Sequence, residues 1–392
     1  MGVLATLLDV EGRLLRKADG LATRGLALLE RGAKYRAHRA ITRAFAAMER
    51  GRAKVQRRSL DAGAVYGKIA RGYYGLRNVE FAWQAAEDSI AFDPRNPDGL
   101  EIQGLVQLER GESKDAFVSF EKALRSSPES AALWGYRGDA ALAAGKKDDA
   151  IASFRKVVDL ASDDMDNYDK LLRLTPQDAE VWIRRAEAHA RQNEADEALH
   201  AFDRALRIAP DRMGAWAGKA AVHESVQQFD RALRCLDKAL ELEEGNAGLW
   251  FRRGQVLART GANDDAVQSF DASLERNAED PRVWSARGEL LLTMGRHDEA
   301  IHSFDSALGF DPRDIAVLDG KRRAFRAMEK WDGLEKVSAE IVALDPARSD
   351  AMYSRAEALS KLHRLDETVA AVDAVLAGHP SATMPSSSSA RP

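Results

Sequence analysis

Residues able to do acid–base, nucleophilic or metal chemistry are scattered along this 392-residue chain without the spacing such chemistry needs. The eight histidines (His38, His189, His200, His223, His297, His302, His363 and His379) include no HExxH pair or other metal spacing. One cysteine, Cys235, has no second thiol with which to share a metal or a disulfide, which fits a reducing, cytoplasmic setting. No phosphate-binding glycine loop and no GxSxG elbow occurs. The expectation is therefore no catalytic, cofactor or metal residue, and no enzyme. Cys235 falls in a column otherwise held by Ser119, Ser153, Ala201, Ser269 and Ser303, so it reads as a small packing residue.

Regular spacing belongs instead to charged side chains. Bases recur at Arg24, Arg137, Arg185, Lys219, Arg253, Arg287, Lys321 and Arg355. Eighteen residues after five of them stands an acid: Asp203, Asp237, Asp271, Asp305 or Asp373. The co-occurrence predicts a ladder of ion pairs between two neighbouring helices, with aliphatic stems packed on the apolar seam. The alternative is a basic ridge for an acidic ligand.

The elements that hold these charges repeat every 34 residues. One column contains Trp134, Trp182, Trp216, Trp250 and Trp284, with Tyr66, Leu100, Leu318 and Met352 in phase. Four residues on stands a small residue, at Gly104, Gly138, Ala186, Ala220, Gly254, Gly288 or Ala356. Twelve further is an alanine such as Ala116, Ala150 or Ala266, and four after that Phe120, Phe154, Phe202, Leu236, Phe270 or Phe304. Pro94, Pro128, Pro210, Pro312, Pro346 and Pro380 close their units. The pattern describes a helical hairpin: aromatic and small residues share one face of a first helix, and alanine and phenylalanine approach from a second. Proline ends that second helix. So short a pair cannot cover its own apolar faces and must stack on its neighbours.

On the residues Trp250, Gly254, Leu257, Ala266 and Phe270, and again Trp284, Gly288, Leu291, Ala300 and Phe304, the chain resembles the tetratricopeptide repeat family. Ten units are in phase: 18–51, 63–96, 97–130, 131–164, 179–212, 213–246, 247–280, 281–314, 315–348 and 349–382. The resemblance implies an all-α solenoid, wound as a right-handed superhelix of stacked hairpins whose first helices line a concave groove. It also implies a scaffold that binds peptide or protein segments there.

Fourteen extra residues, 165–178, separate the fourth and fifth units. They make about 3.9 helical turns, and the stripe Val157, Ala161, Met165, Tyr168, Leu172 continues through them. This predicts that the second helix of unit four runs on to about Leu174; a separate short helix opening at "SDDM" is the other reading. The organisation is then an amphipathic segment 1–17, a block 18–164, a helical joint 165–178, a block 179–382 and a disordered tail 383–392. The ninth unit departs from the pattern, with Arg322 for the small residue and Ser338 for phenylalanine, so looser packing is expected there.

In the resembled family, ligands meet first-helix positions one and five residues after the tryptophan column. The corresponding groove residues include Asp139, Glu187, Phe251, Gln255, Glu289, Arg323, Tyr353 and Glu357. The acids form an expected acidic wall and Phe251 and Tyr353 expected aromatic anchors, which suits a basic or amphipathic segment. No Lys–Asn carboxylate clamp stands at these positions. Residues 1–77 hold 17 Lys/Arg against 6 Asp/Glu, with a basic patch at Arg52, Lys54, Arg57 and Arg58. This points to a second reading, an adaptor docking on nucleic acid or an anionic membrane. The last unit keeps apolar Val369 and Leu376 where earlier units meet a following hairpin, so self-association is expected through that end. No stretch approaches 18 consecutive apolar residues, and no transmembrane helix is expected.

Overall fold

Helix-forming runs between proline, glycine, asparagine and aspartate punctuation give an all-helical molecule, without a strand among the described residues. The computed structural model describes the backbone of residues 2–51 and 60–378 and the side chains of residues 13, 15–49 and 61–373. Arg52, Lys54, Arg57, Arg58, the Leu376 side chain and the tail 383–392 lie outside the described residues. The chain divides into two units, Met1–Gln192 and Asn193–Pro392.

The first unit contains α1 (Gly2–Glu30), α2 (Lys34–Gly51), α3 (Leu60–Gly75), α4 (Val79–Phe92), α5 (Pro97–Glu109), α6 (Ser113–Ser126), α7 (Ala131–Ala143), α8 (Lys147–Leu160), α9 (Met165–Leu174) and α10 (Ala179–Arg191). The helices from α1 to α8 pair as four antiparallel hairpins. Residues 2–17 belong to the same helix as the first repeat rather than to a separate segment. The second unit contains α11 (Ala195–Ile208), α12 (Met213–Ser225), α13 (Phe229–Leu242), α14 (Ala247–Thr260), α15 (Asn263–Arg276), α16 (Pro281–Thr293), α17 (His297–Leu308), α18 (Ile315–Ala327), α19 (Trp331–Leu344), α20 (Ser349–Lys361) and α21 (Leu365–Gly378).

First and second helices begin differently. Asn96, Ser130, Asp178, Asn246, Asp280 and Asp314 each accept a backbone N–H in the first turn of a first helix. The second helices α6, α8, α15 and α17 have no such cap and place aspartate or glutamate in the first turn, against the positive end of the helix dipole.

Four hairpins close by setting a phenylalanine ring of the second helix against a glycine of the first. A Cβ added at Gly104, Gly138, Gly254 or Gly288 would come within 2.5–2.7 Å of Phe120, Phe154, Phe270 or Phe304. These phenylalanines are fully buried. The five tryptophans are not: Trp134, Trp182, Trp216, Trp250 and Trp284 are half-buried. Each indole N–H donates to the carbonyl six residues earlier, that of Pro128, Pro176, Pro210, Glu244 or Ala278, at 2.8–3.1 Å. The tryptophan column therefore ties down the turn that enters each hairpin, and the phenylalanines fill its core.

The predicted extension of α8 to Leu174 does not occur. Ala161 leaves helical geometry (φ −130°, ψ 77°), and Asp164 opens a new helix by accepting the Asn167 N–H (3.2 Å). Tyr168 on α9 is buried eight residues before Pro176, the spacing of Phe202 and Pro210. The fourteen extra residues are thus a second helix without a first, which is why a closing phrase arrives off the grid. The expected joint at 165–178 lies inside the first unit, whose boundary falls at Gln192.

Candidate ligand face

On the first unit, the positions one and five after the tryptophan column carry Arg71, Glu101, Asp139 and Glu187. Arg71 reaches from α3 to Asp98 (2.7 Å) and Glu101 (2.8 Å) on α5. Burial pushes the Glu101 carboxyl up, while Arg71 opposes the shift. Tyr74 donates to Glu109 (2.8 Å), and burial together with that carboxylate pushes its phenol up to about 12. Sequence reasoning missed Arg71, Tyr74 and Glu101 because Tyr66 and Leu100, not tryptophan, mark the column in these hairpins. Asp139 pairs with Lys170 of α9 (3.0 Å), which also holds Asp166 (3.1 Å). Glu187 is exposed.

The same face of the second unit is braced between hairpins. Arg252 binds Glu224 (2.6 Å), Arg323 binds Glu289 (2.5 Å), and Arg326 binds Glu357 (3.0 Å). Phe251 packs against Phe270, ring centroids 5.9 Å apart, and so serves the core more than a ligand. Gln255 is exposed, and Tyr353 keeps 51% of its surface. Of the four acids expected to form a wall, Asp139, Glu289 and Glu357 each have a cation partner, and Glu187 has none among the described residues. Of the residues singled out from the sequence, Glu187, Gln255 and Tyr353 are exposed.

The charge ladder exists in another direction. Lys219 pairs with Asp203 (2.5 Å), Arg253 with Asp237 (2.8 Å), Arg287 with Asp271 (2.6 Å) and Lys321 with Asp305 (2.6 Å). In the first unit Arg185 pairs with Asp169 (3.0 Å). Every acid lies sixteen residues before its base, on the preceding second helix, so the ladder joins successive elements rather than the two helices of one hairpin. The base also reaches forward: Arg253 and Arg287 donate to Ser269 and Ser303 of their own hairpins (2.8 Å each). Their guanidinium or ammonium groups lie close to the tryptophan rings three residues back, at 5.8 Å for Arg253 over Trp250 and Lys219 over Trp216. These bases are structural.

A cleft of about 640 Å³ opens between α11, α12 and α13, lined by Asp203, Trp216, Lys219, His223 and Cys235 among others. At its floor Cys235 is buried, which pushes its thiol up, away from nucleophilic use. Burial also lowers His223, whose Nδ1 lies 2.9 Å from Gln228 Oε1. Among the described residues no group of three or more His, Cys, Asp or Glu is placed to hold a metal, and no helix is long and apolar enough to cross a membrane. Leu365 (70% exposed) and Val369 (61%) stand out from α21.

Family models described as tetratricopeptide repeat match residues 103–164, 179–212, 225–290 and 281–314. No curated protein matches in sequence. Similar solved structures include YrrB, described as a TPR protein with an unusual peptide-binding site: it is 21% identical over 48% of this chain and 97% of its own, with a TM-score of 0.43. MamA from Desulfovibrio magneticus RS-1 (residue 41 to the end) is 18% identical over 44% and 98%, TM-score 0.39. The P58(IPK) TPR domain is 17% identical over 80% and 92%, TM-score 0.29.

Proposed function

We propose, from the premise that this chain is a tetratricopeptide repeat protein and so a protein–protein interaction scaffold, that it holds peptide or protein segments along its first-helix faces without catalysing a reaction. The observation that carries this reading is the bracing of first helices by Arg71–Glu101, Arg252–Glu224 and Arg323–Glu289. Such pairs set side chains at fixed spacing before a ligand arrives, so little ordering entropy is lost on binding. With most charges on the face already compensated, the ligand is selected by shape and by the exposed Tyr353, Gln255 and Glu187 rather than by a basic character. The reading places the chain in the cytoplasm, where the lone buried thiol of Cys235 stays reduced.

A photo-crosslinking amino acid at Gln255 or Tyr353 should trap protein partners, and one at Lys238 on a second helix should not. Equal trapping at all three positions would remove the face as the binding surface. Self-association through α21 belongs to the same reading, because Leu365 and Val369 are exposed. Val369→Asp should then lower the sedimentation mass at high concentration, and a monomer throughout would end that idea.

A second reading is the adaptor, in which a basic N-terminal part docks on nucleic acid or an anionic membrane while the repeats recruit protein. The observation that favours it is a set of cations on α2, Lys34, Arg36, Arg39 and Arg43, that have no acidic partner among the described residues.

A further inference from the structure

Lys68 and Arg71 of the second hairpin are ion-paired, but among the described residues a set of cations on α2 and in the turns beside it is not. Arg31, Lys34, Arg36, Arg39, Arg43 and Arg77 are all exposed. Among the described residues none of the six forms an ion pair. Glu49, the acid on the exposed side of α2, accepts a hydrogen bond from Tyr66 (2.9 Å). The first turn of α2 has no acid, in contrast to α4, α6 and α8, so the positive end of its dipole adds to the side chains. Lys34, Tyr35 and His38 form one wall of a cleft of about 670 Å³ whose other wall is Arg77 and Asn78. Glu80 at its rim is engaged by Arg110 (3.4 Å).

We propose that the exposed side of α2, with Arg77 across the cleft, binds a single-stranded nucleic acid through its phosphates, with Tyr35 as the stacking platform for a base. The proposal rests on the adaptor reading and supplies its site and its ligand class. Arginine predominates over lysine in the set, and its planar fork suits phosphate oxygens in pairs. Arg36, Arg39 and Arg43 fall within about 10 Å along the helix, close enough to meet one strand. Tyr35 is 74% exposed beside them, which leaves its aromatic face open to a base. A membrane fits less well. The apolar side of α2, with Ala37, Ile41, Ala44 and Met48, is buried, and the exposed side offers only Tyr35 and Ala46 for insertion.

The test is fluorescence anisotropy of a labelled oligothymidine with the full-length protein across a salt series, with phosphatidylserine vesicles and a DNA duplex in parallel. Binding should weaken with salt at a log–log slope of about −3, as for four neutralised phosphates. Arg36→Glu/Arg39→Glu/Arg43→Glu should lower affinity at least about 30-fold, and Tyr35→Ala about 5-fold or more, with unchanged circular dichroism and melting. Strand binding lost only in Arg52→Glu/Lys54→Glu/Arg57→Glu/Arg58→Glu would sink this site and leave the adaptor reading standing. Failure to bind any polyanion would sink both. Vesicle binding without strand binding, or duplex binding insensitive to Tyr35→Ala, would overturn the ligand assignment.

Discussion

Two neighbouring hairpins of the second unit solve one packing problem with the bulk on opposite sides. In α16/α17 the first helix contributes Gly288 and the second Phe304, whose ring lies where a Cβ on Gly288 would come within 2.7 Å of it. In α18/α19 the first helix contributes Arg322 and the second Ser338. The expected loosening at Arg322 is not what fills that space. Arg322 is buried (7% exposed) and donates to Asp319 (2.7 and 3.0 Å), to Asp350 (3.1 Å) and to the Ser354 hydroxyl. Here an apolar contact inside the hairpin gives way to a buried charge whose partners come from its own helix and from α20, while Phe325 of α18 packs against Gly333 of α19. Ser338 is left behind as a buried hydroxyl with no hydrogen-bond partner. A repeat can therefore lose its two signature residues and keep both of its helices.

Truncating the apolar solution should cost the most. Phe304→Ala empties a site lined by Gly288 and Gly320, neither of which can fill it, and should destabilise by about 3–5 kcal/mol in thermal or urea unfolding. A loss below about 1 kcal/mol would mean that the ring is not the keystone of its hairpin. Arg322→Leu comes next. It leaves Asp319 and Asp350 without their buried partner, though both retain solvent, so a loss of about 2–3 kcal/mol is expected. Arg322→Gly combined with Ser338→Phe rebuilds the neighbouring hairpin's arrangement and should be more stable than Arg322→Gly alone. A double variant as unstable as the sum of its parts would show that the exchange is not one of volume. Acid should also tell the hairpins apart. Arg348 and Arg322 hold the Asp350 carboxyl below its ordinary value of 3.8, so the stabilisation it contributes is present above that pH and lost as pH falls through the depressed value. Hydrogen exchange in α18 and α20 should rise first there, and Arg348→Leu should remove more of that dependence than Arg322→Leu, because the Arg348 hydrogen bond is the largest cause of the shift.

The hairpins themselves were legible because burial imposes a period: Gly254 with Phe270, and Gly288 with Phe304, announce a close helix contact wherever they fall. The direction of the charge ladder was not legible, for an arithmetical reason. An acid eighteen residues after one base is sixteen before the next when the period is 34, so sequence alone assigns Asp237 equally well to Lys219 or to Arg253. Geometry chooses Arg253. The break before α9 was hidden in a similar way, because an apolar stripe that stays in phase carries no mark of the backbone leaving the helix at Ala161. The compensation of Asp139, Glu289 and Glu357 was hidden because their partners lie on other helices, some thirty residues distant. A column of acids read within each repeat looks like a wall; read between repeats, it is half of a set of braces.

Smaller effects sharpen the same contrast. Ser338→Ala removes a buried hydroxyl that bonds to nothing, and should stabilise the ninth unit by about 1 kcal/mol. Ser303, in the eighth, accepts from Arg287 (2.8 Å) and donates to the Glu299 carbonyl (3.0 Å), so Ser303→Ala should destabilise instead. Opposite signs for two buried serines in adjacent hairpins would place the difference in hydrogen bonding and not in volume.

The ladder gives the smallest signal and the most specific one. In a double-mutant cycle, Arg253→Ala with Asp237→Ala should couple by about 0.3–1 kcal/mol, the range for a pair that is half in solvent, and the coupling should shrink in high salt. Arg253→Ala with Asp271→Ala should couple by nothing measurable, because Asp271 is held by Arg287 at 2.6 Å. Coupling to Asp271 and none to Asp237 would return the ladder to the inside of each hairpin. Coupling to Asp237 means that each base pins its own first helix to the hairpin before it. That linkage sets the spacing between successive first helices, and so the spacing of whatever side chains they present to a ligand.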